Sequence, residues 1–223
     1  MIPVLFTTFN RLAYTKQTLP VLIKNTPDAE IIVIDNGSTD GTVDYLLEQK
    51  GISQLILNAE NTGISGAMNA FFKITEGSKI VGKVDNDTLV PPNWLDDLLD
   101  ILVRSNLEIV QANHYFMSDQ NRDWDDLISK RPVKHFENGT VAYAKIVGGS
   151  GIVFKRNIIT EPLKCNGLYS WGDFQRLNRQ HRRGIFDGVW IDLLDMAGYN
   201  QYTEDIDMQY FLSTGRFEEC PRP

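Results

Sequence analysis

Four short apolar runs in the first ninety residues each end in a cluster of polar residues. Ile2–Phe6 (IPVLF) runs into Thr7-Thr8-Phe9-Asn10-Arg11, and Glu30–Ile34 (EIIVI) into Asp35-Asn36-Gly37-Ser38. Ser53–Glu60 (SQLILNAE) leads into Asn61-Thr62-Gly63, and Ile80–Val84 (IVGKV) into Asp85-Asn86-Asp87. Near-continuous apolar runs of this length are expected of strands covered on both faces. Between them the pattern predicts helices from about Tyr14 to Lys24, from Thr42 to Lys50, and from Gly63 to about Thr75. After Pro91-Pro92, NWLDDLLDILVRSN reads as a further amphipathic helix, and LEIVQANHYF (107–116) as a strand. The region 117–139, with Trp124 inside it, is polar and loop-like. VAYAKIVGGSGIVFKR (141–156) gives two strand-like runs joined at Gly148-Gly149-Ser150-Gly151. Strand–helix alternation repeated four times argues an α/β fold: a mostly parallel central sheet flanked by helices. Ligands of such sheets sit beyond the carboxyl ends of the strands, so the four polar clusters share one rim.

Bulk properties narrow the classes. The chain of 223 residues suits a single domain over 1–223, with 1–90 as a nucleotide-binding half and 91–223 as an acceptor-side half. A net charge of −7 argues against nucleic acid or anionic membrane as the main partner. Apolar stretches of about six residues are too short for a membrane span. No basic-then-apolar leader precedes the first strand, and a soluble cytoplasmic protein is expected. Cys165 and Cys220 are too few for a disulfide framework and read as reduced thiols. His114, His135 and His181 share no ligand-like spacing and read as surface or structural residues. The basic run Arg176, Arg179, Arg182, Arg183 reads as a solvated helix face, with an anionic contact as the alternative.

Candidate chemistry gathers at Asp85-Asn86-Asp87. Side chains alternate along a strand, so Asp85 and Asp87 project the same way, with Lys83 beside them. Like charges so placed repel unless something positive lies between them. One reading is a solvated strand end. The other is a divalent cation held against a phosphorylated ligand, where hard oxygen donors suit Mg²⁺ or Mn²⁺ and the phosphates complete the shell.

The segments PVLFTTFNR, EIIVIDNGSTDGT, NTGISGAMN, KVDND, GGSGIVFKR and SWGDFQRLNRQHRRG resemble, in order and spacing, the GT-A fold glycosyltransferases of family 2 type. The likeness covers most of residues 1–190; the last thirty residues match nothing recognisable. The resemblance implies a nucleotide-sugar donor, a divalent metal (Mn²⁺ or Mg²⁺), and transfer to a hydroxyl of a saccharide or other acceptor. It places Thr7, Phe9 and Arg11 in the nucleotide pocket and Asp35 at a ring N–H of the base, suggesting uracil. Asn61, Lys83 and Asn86 fall around the base and phosphates. Asp85 would face the ribose or the metal shell, Asp87 would bind the metal directly, and Gly149 would let backbone approach the donor. Each has a structural alternative: an Asx-type turn for Asp35, a solvated turn for Arg11, core packing for Phe9, a tight turn for Gly149.

By the same likeness, the acceptor's proton goes to an acidic residue late in the chain. Tyr169-Ser170-Trp171-Gly172-Asp173-Phe174 matches that place, with Gly172-Asp173 where many relatives carry Glu-Asp. Asp173 is then the general base of an inverting transfer, or else a helix N-cap. Trp171 would wall the sugar pocket or pack in the core. Where relatives often supply a histidine to the metal, GVWIDLLD offers Asp192, as ligand or structural residue. A nucleotidyltransferase would carry a Gly-rich basic segment after the first strand, and TTFNRLAYTK is not one. A dehydrogenase would need G-x-G-x-x-G there, and no glycine precedes Gly37. A non-catalytic nucleotide-sugar-binding module remains the other alternative.

Overall fold

Turn chemistry closes each apolar run, so strand and helix alternate from the first residues onward. The computed structural model describes residues 1–114, 124–145, 147–164 and 180–194. The four expected strands are β1 (Ile2–Thr8), β2 (Ala29–Asp35), β3 (Gln54–Leu57) and β4 (Ile80–Asp85). They are linked by α1 (Leu12–Asn25), α2 (Thr42–Glu48) and α3 (Gly63–Ile74). All four strands pair in parallel in the order β3-β2-β1-β4. The order reverses between β1 and β4, which opens a crevice at their carboxyl ends.

Beyond β4 come the short β5 (Thr88–Leu89), α4 (Trp94–Arg104) and β6 (Ile109–His114). Within 117–139, read from the sequence as loop, lie α5 (Trp124–Ser129) and β7 (Val133–Phe136). β7 forms an antiparallel hairpin with β8 (Gly139–Tyr143). Most of β7 is exposed, so no apolar alternation marks it as a strand. β9 (Ile152–Lys155) inserts antiparallel between β4 and β6. β10 (Arg183–Leu193) runs parallel to β6 and antiparallel to β8 and β5. The sheet is therefore parallel through its first four strands and mixed beyond. The basic run is corrected at its described end: Arg183 is buried at the start of β10, where its Nε donates to the Lys145 carbonyl at 2.8 Å.

Helices cover both faces of the sheet. On one face Val4, Phe6, Val33 and Val84 pack with Leu19 and Leu22 of α1 and Trp94 and Leu98 of α4. On the other, Leu5, Ile32, Ile34 and Val81 meet Ala67, Met68, Phe71 and Phe72 of α3. Alternation then assigns Thr7, Lys83 and Asp85 to the α3 face, in line with Leu5 and Val81. Among the described residues no helix is long and apolar enough to cross a membrane.

Candidate active site

Strand register brings the first polar contacts together. Thr7 stands opposite Asp85, and Leu5 opposite Lys83. Thr7 Oγ1 donates to Asp85 Oδ1 at 2.9 Å, and the same oxygen pairs with the Lys83 ammonium. Lys83, fully buried, also donates to the Gly149 carbonyl at 2.8 Å. The Asp85 N–H donates to Ser150 Oγ at 2.8 Å, and that hydroxyl shares a 2.7 Å hydrogen bond with Thr88 Oγ1. Asp87 Oδ2 meets Arg11 Nη1 at 3.3 Å. Each carboxylate of the acidic pair is thus answered by a cation from the chain itself.

Backbone strain aims Arg11. Asn10 (φ 53) and Arg11 (φ 63) are consecutive left-handed residues, a costly conformation for side chains with a Cβ. The loop after β2 holds them there. The Asn10 N–H donates to Ser38 Oγ at 2.7 Å, the Thr39 N–H to Asn10 Oδ1 at 2.9 Å, and the Leu12 N–H to Asp40 Oδ2 at 2.8 Å. The Arg11 guanidinium lies 5.0 Å from the centre of the Tyr14 ring.

Asp35 ends β2 fully buried. Its Oδ1 accepts the Gly37 and Ser38 N–H groups at 3.0 and 2.8 Å, and its Oδ2 accepts the Ser38 hydroxyl at 2.5 Å. The Asx-type turn is therefore formed, and Ser38 takes one of the two acceptor positions of Oδ2. Asn61 does the same for α3, accepting the Gly63 N–H at 2.8 Å. Asn86 is buried away from its acidic neighbours. Its amide reaches Thr8 and Thr15, and its carbonyl accepts Thr18 Oγ1 at 2.8 Å. Phe9 is half-buried at the rim.

Three further residues converge here that sequence reasoning did not select. Gln111 Oε1 accepts the Gly148 N–H at 2.6 Å, and its amide faces the Ser150 carbonyl at 3.4 Å. His114 Nε2 lies 2.6 Å from Gln111 Nε2. Desolvation in this cluster pushes the imidazole down to about 4, against the opposing pull of a Ser150 backbone hydrogen bond and the Asp85 charge. Ser150 itself ties the glycine turn to Asp85. Their only sequence signal is a polar residue inside or just after an apolar run.

Asp192 is buried on β10 opposite Leu89, and the Asp87 carbonyl accepts the Leu194 N–H at 2.8 Å. That strand therefore lies directly against the acidic Asp85–Asp87 turn. Trp171, Asp173, Cys165 and Cys220 lie outside the described residues. The carboxylate and hydroxyl oxygens around Asp85 and Asp87 are hard donors that fit Mg²⁺ or Mn²⁺. Among the described residues no group of three or more His, Cys, Asp or Glu side chains gathers to hold a metal alone. The donor set thus suits a cation that arrives with ligands of its own, such as phosphate oxygens.

Comparison with known proteins agrees with this geometry. One curated relative, an uncharacterized glycosyltransferase of Haemophilus influenzae, is 26% identical over 110 residues, covering 48% of this chain and 34% of its own. The chain thus spans about a third of that relative's length. S. aureus TarS 1-349 in complex with UDP-GlcNAc superposes with a TM-score of 0.58 at 15% identity, over 89% of this chain and 61% of its own. The mannosyltransferase PcManGT from Pyrobaculum calidifontis, in complex with GDP-Man and Mn²⁺, gives 0.62 at 16% identity over 82% and 56%. GalNAc-T7 with UDP, GalNAc and Mn²⁺ gives 0.66 at 12% identity over 100% and 52%. At these identities the structural likeness speaks for the fold, which is GT-A. The family model "Glycosyl transferase family 2" matches residues 4–159, and the chain belongs to that family.

Proposed function

We propose that this chain transfers a sugar from a nucleotide-sugar donor, UDP-linked by preference, to a hydroxyl of a saccharide or similar acceptor. The observation that carries the reading is the Asp85–Asp87 turn at the end of β4. It sits at the reversal of strand order in a family 2 chain, with Thr7 and Arg11 on one side and the Gly148–Ser150 turn on the other. Crystals of GT-A neighbours with UDP-GlcNAc, with GDP-Man and Mn²⁺, and with UDP and Mn²⁺ support it.

In this reading residues 1–90 bind the nucleotide and 91–223 serve the acceptor, in the cytoplasm. Thr7, Phe9 and Asn61 border the nucleotide. The uracil ring N–H would meet the remaining acceptor position of Asp35 Oδ2. Asp85 and Asp87 would hold Mn²⁺ or Mg²⁺, with Asp192 behind them. A bound divalent cation supplies Lewis-acid stabilisation of the departing diphosphate. Arg11, which meets Asp87 at 3.3 Å, would offer its guanidinium to a phosphate. Lys83 holds Asp85 in orientation through their ion pair. Asp173 takes the acceptor's proton, and Trp171 walls the sugar.

Calorimetry of UDP with Mn²⁺ tests the proposal. The wild-type chain should bind UDP only with the metal present, and Asp87→Ala should lose that metal-dependent binding. Metal-dependent binding that survives unchanged in Asp87→Ala would remove the metal assignment. Competition among UDP, GDP and ADP checks the base, and tighter GDP binding would overturn the uracil preference.

A further inference from the structure

Lys83 and Gln111 stand on the two strands that flank β9, and both are in register with Ile152. The rest of that row on the α3 face is apolar: Leu5, Ile152 and Ile185 are all buried in one cluster. A lysine and a glutamine in such a row cost desolvation unless their polar atoms are met. Both are met by the same turn. Lys83 Nζ donates to the Gly149 carbonyl at 2.8 Å, Gln111 Oε1 accepts the Gly148 N–H at 2.6 Å, and Gln111 Nε2 faces the Ser150 carbonyl at 3.4 Å. Three consecutive residues are held through their backbone from beneath. Above, Gly148 is exposed and Gly149 half-exposed, so the upper surface of the turn is bare backbone. The turn is pressed close to its support: a Cβ on Gly148 would lie 2.6 Å from Gln111 Nε2. Through Ser150 Oγ the same turn grips the Asp85 N–H, so any shift in it is felt at the end of β4.

We propose that Lys83 and Gln111 are positioning residues that fix the Gly148–Ser150 turn as a backbone shelf for the sugar of the donor. They thereby set sugar recognition apart from nucleotide recognition. This rests on the sugar-transfer reading above. Groups anchored on central strands hold a loop more closely than loop contacts do, and glycine lets a ligand approach the backbone. In this role both side chains act through the turn's backbone. A role in core packing alone predicts lost stability with no change in the ratio of sugar-nucleotide to nucleotide affinity.

The test measures calorimetric affinities for UDP-GlcNAc, UDP-glucose, GDP-mannose, UDP and GDP, all with Mn²⁺. Wild type is compared with Gln111→Leu and Gly148→Ala, and melting temperatures are recorded on the same samples. Gly148→Ala removes no interior side chain and displaces the Gln111 amide from above. Both variants should bind the wild type's preferred sugar nucleotide roughly 10-fold more weakly, the loss expected of a mispositioned polar contact. Affinity for the matching free nucleotide should move by less than about 2-fold. Parallel losses for nucleotide and sugar nucleotide, or no loss in either folded variant, would overturn the shelf. If Gln111→Leu fails to fold, Gly148→Ala decides alone. A wild-type chain that binds none of the five ligands would sink the sugar-transfer reading and the shelf with it.

Discussion

Lys83 and Asp85 form one ion pair but do not suffer equally when it is broken. The lysine side chain is 0% exposed, whereas that of Asp85 is 25% exposed. Removing the carboxylate strands an ammonium inside the sheet; removing the lysine leaves a carboxylate that water still reaches. Asp85→Ala should therefore cost about 3–5 kcal/mol, the usual result of orphaning a buried charge. Lys83→Met should cost less, about 1–2 kcal/mol. Urea unfolding of both variants checks the order, and a larger loss for Lys83→Met would contradict it. Lys83 was legible in the sequence because a charged residue interrupts an apolar run beside two aspartates. Gln111 carries the same mark in LEIVQANHYF, yet no neighbouring charge draws attention to it. His114 reads as surface or structural because its partners, Gln111 apart, lie on a turn far along the chain. For Asp35 the sequence left open a base contact and an Asx-type turn; the turn is formed, and the base contact belongs to the proposal.

Asp40 shows how a single side chain can serve two helices. Arg11, at the start of α1, offers no side-chain cap, and the Leu12 N–H turns instead to Asp40 Oδ2 at 2.8 Å. The other oxygen accepts the Thr42 N–H at 3.1 Å and the Thr42 hydroxyl at 2.6 Å, at the start of α2. Burial would raise the carboxyl's pKa, but these hydrogen bonds outweigh it and hold it below its ordinary 3.8. A folded-state pKa below the unfolded one gives stability that is complete above the unfolded value. That stability drains away as pH falls through the folded one. Asp40→Ala should cost about 1–2 kcal/mol at neutral pH. The gap from wild type should narrow once the pH drops below 3.8. Unfolding at neutral pH and near pH 3 measures this; a gap independent of pH would refute the charged cap. NGSTDGT announces a turn and a helix start, but not a cap supplied to the helix before it. β10 escaped notice for a related reason. Its pairing with β6 shifts register between Phe186 and Trp190, so no clean alternation of apolar positions survives.

The first four strands were legible because parallel βα units are built from neighbours in sequence. In the second half α4, β6 and the runs that become β8 and β9 were legible as elements, but their order in the sheet was not, because β9 must travel back to lie between β4 and β6. That insertion brings the glycine turn of residues 148–151 to the rim that β1 and β4 prepare, and the proposed function divides the work between the halves of the molecule. On this division the group that accepts the acceptor's proton belongs to the later part of the chain, where Asp173 is the candidate. Asp173→Asn keeps the volume and can still cap a helix, but it cannot take a proton as a carboxylate does. If Asp173 is the base, transfer should fall by roughly 10²-fold or more. UDP affinity should hold, because the base acts on the acceptor and not on the nucleotide. A cap at that position predicts the opposite pattern, since Asn caps about as well as Asp and both turnover and melting temperature would survive. Transfer to a working acceptor, with UDP affinity and melting temperature taken on the same samples, separates the two. Near-normal turnover in the Asn variant would move the search for a base to Asp205, or to Asp192 on β10, the strand that lies against the Asp85–Asp87 turn.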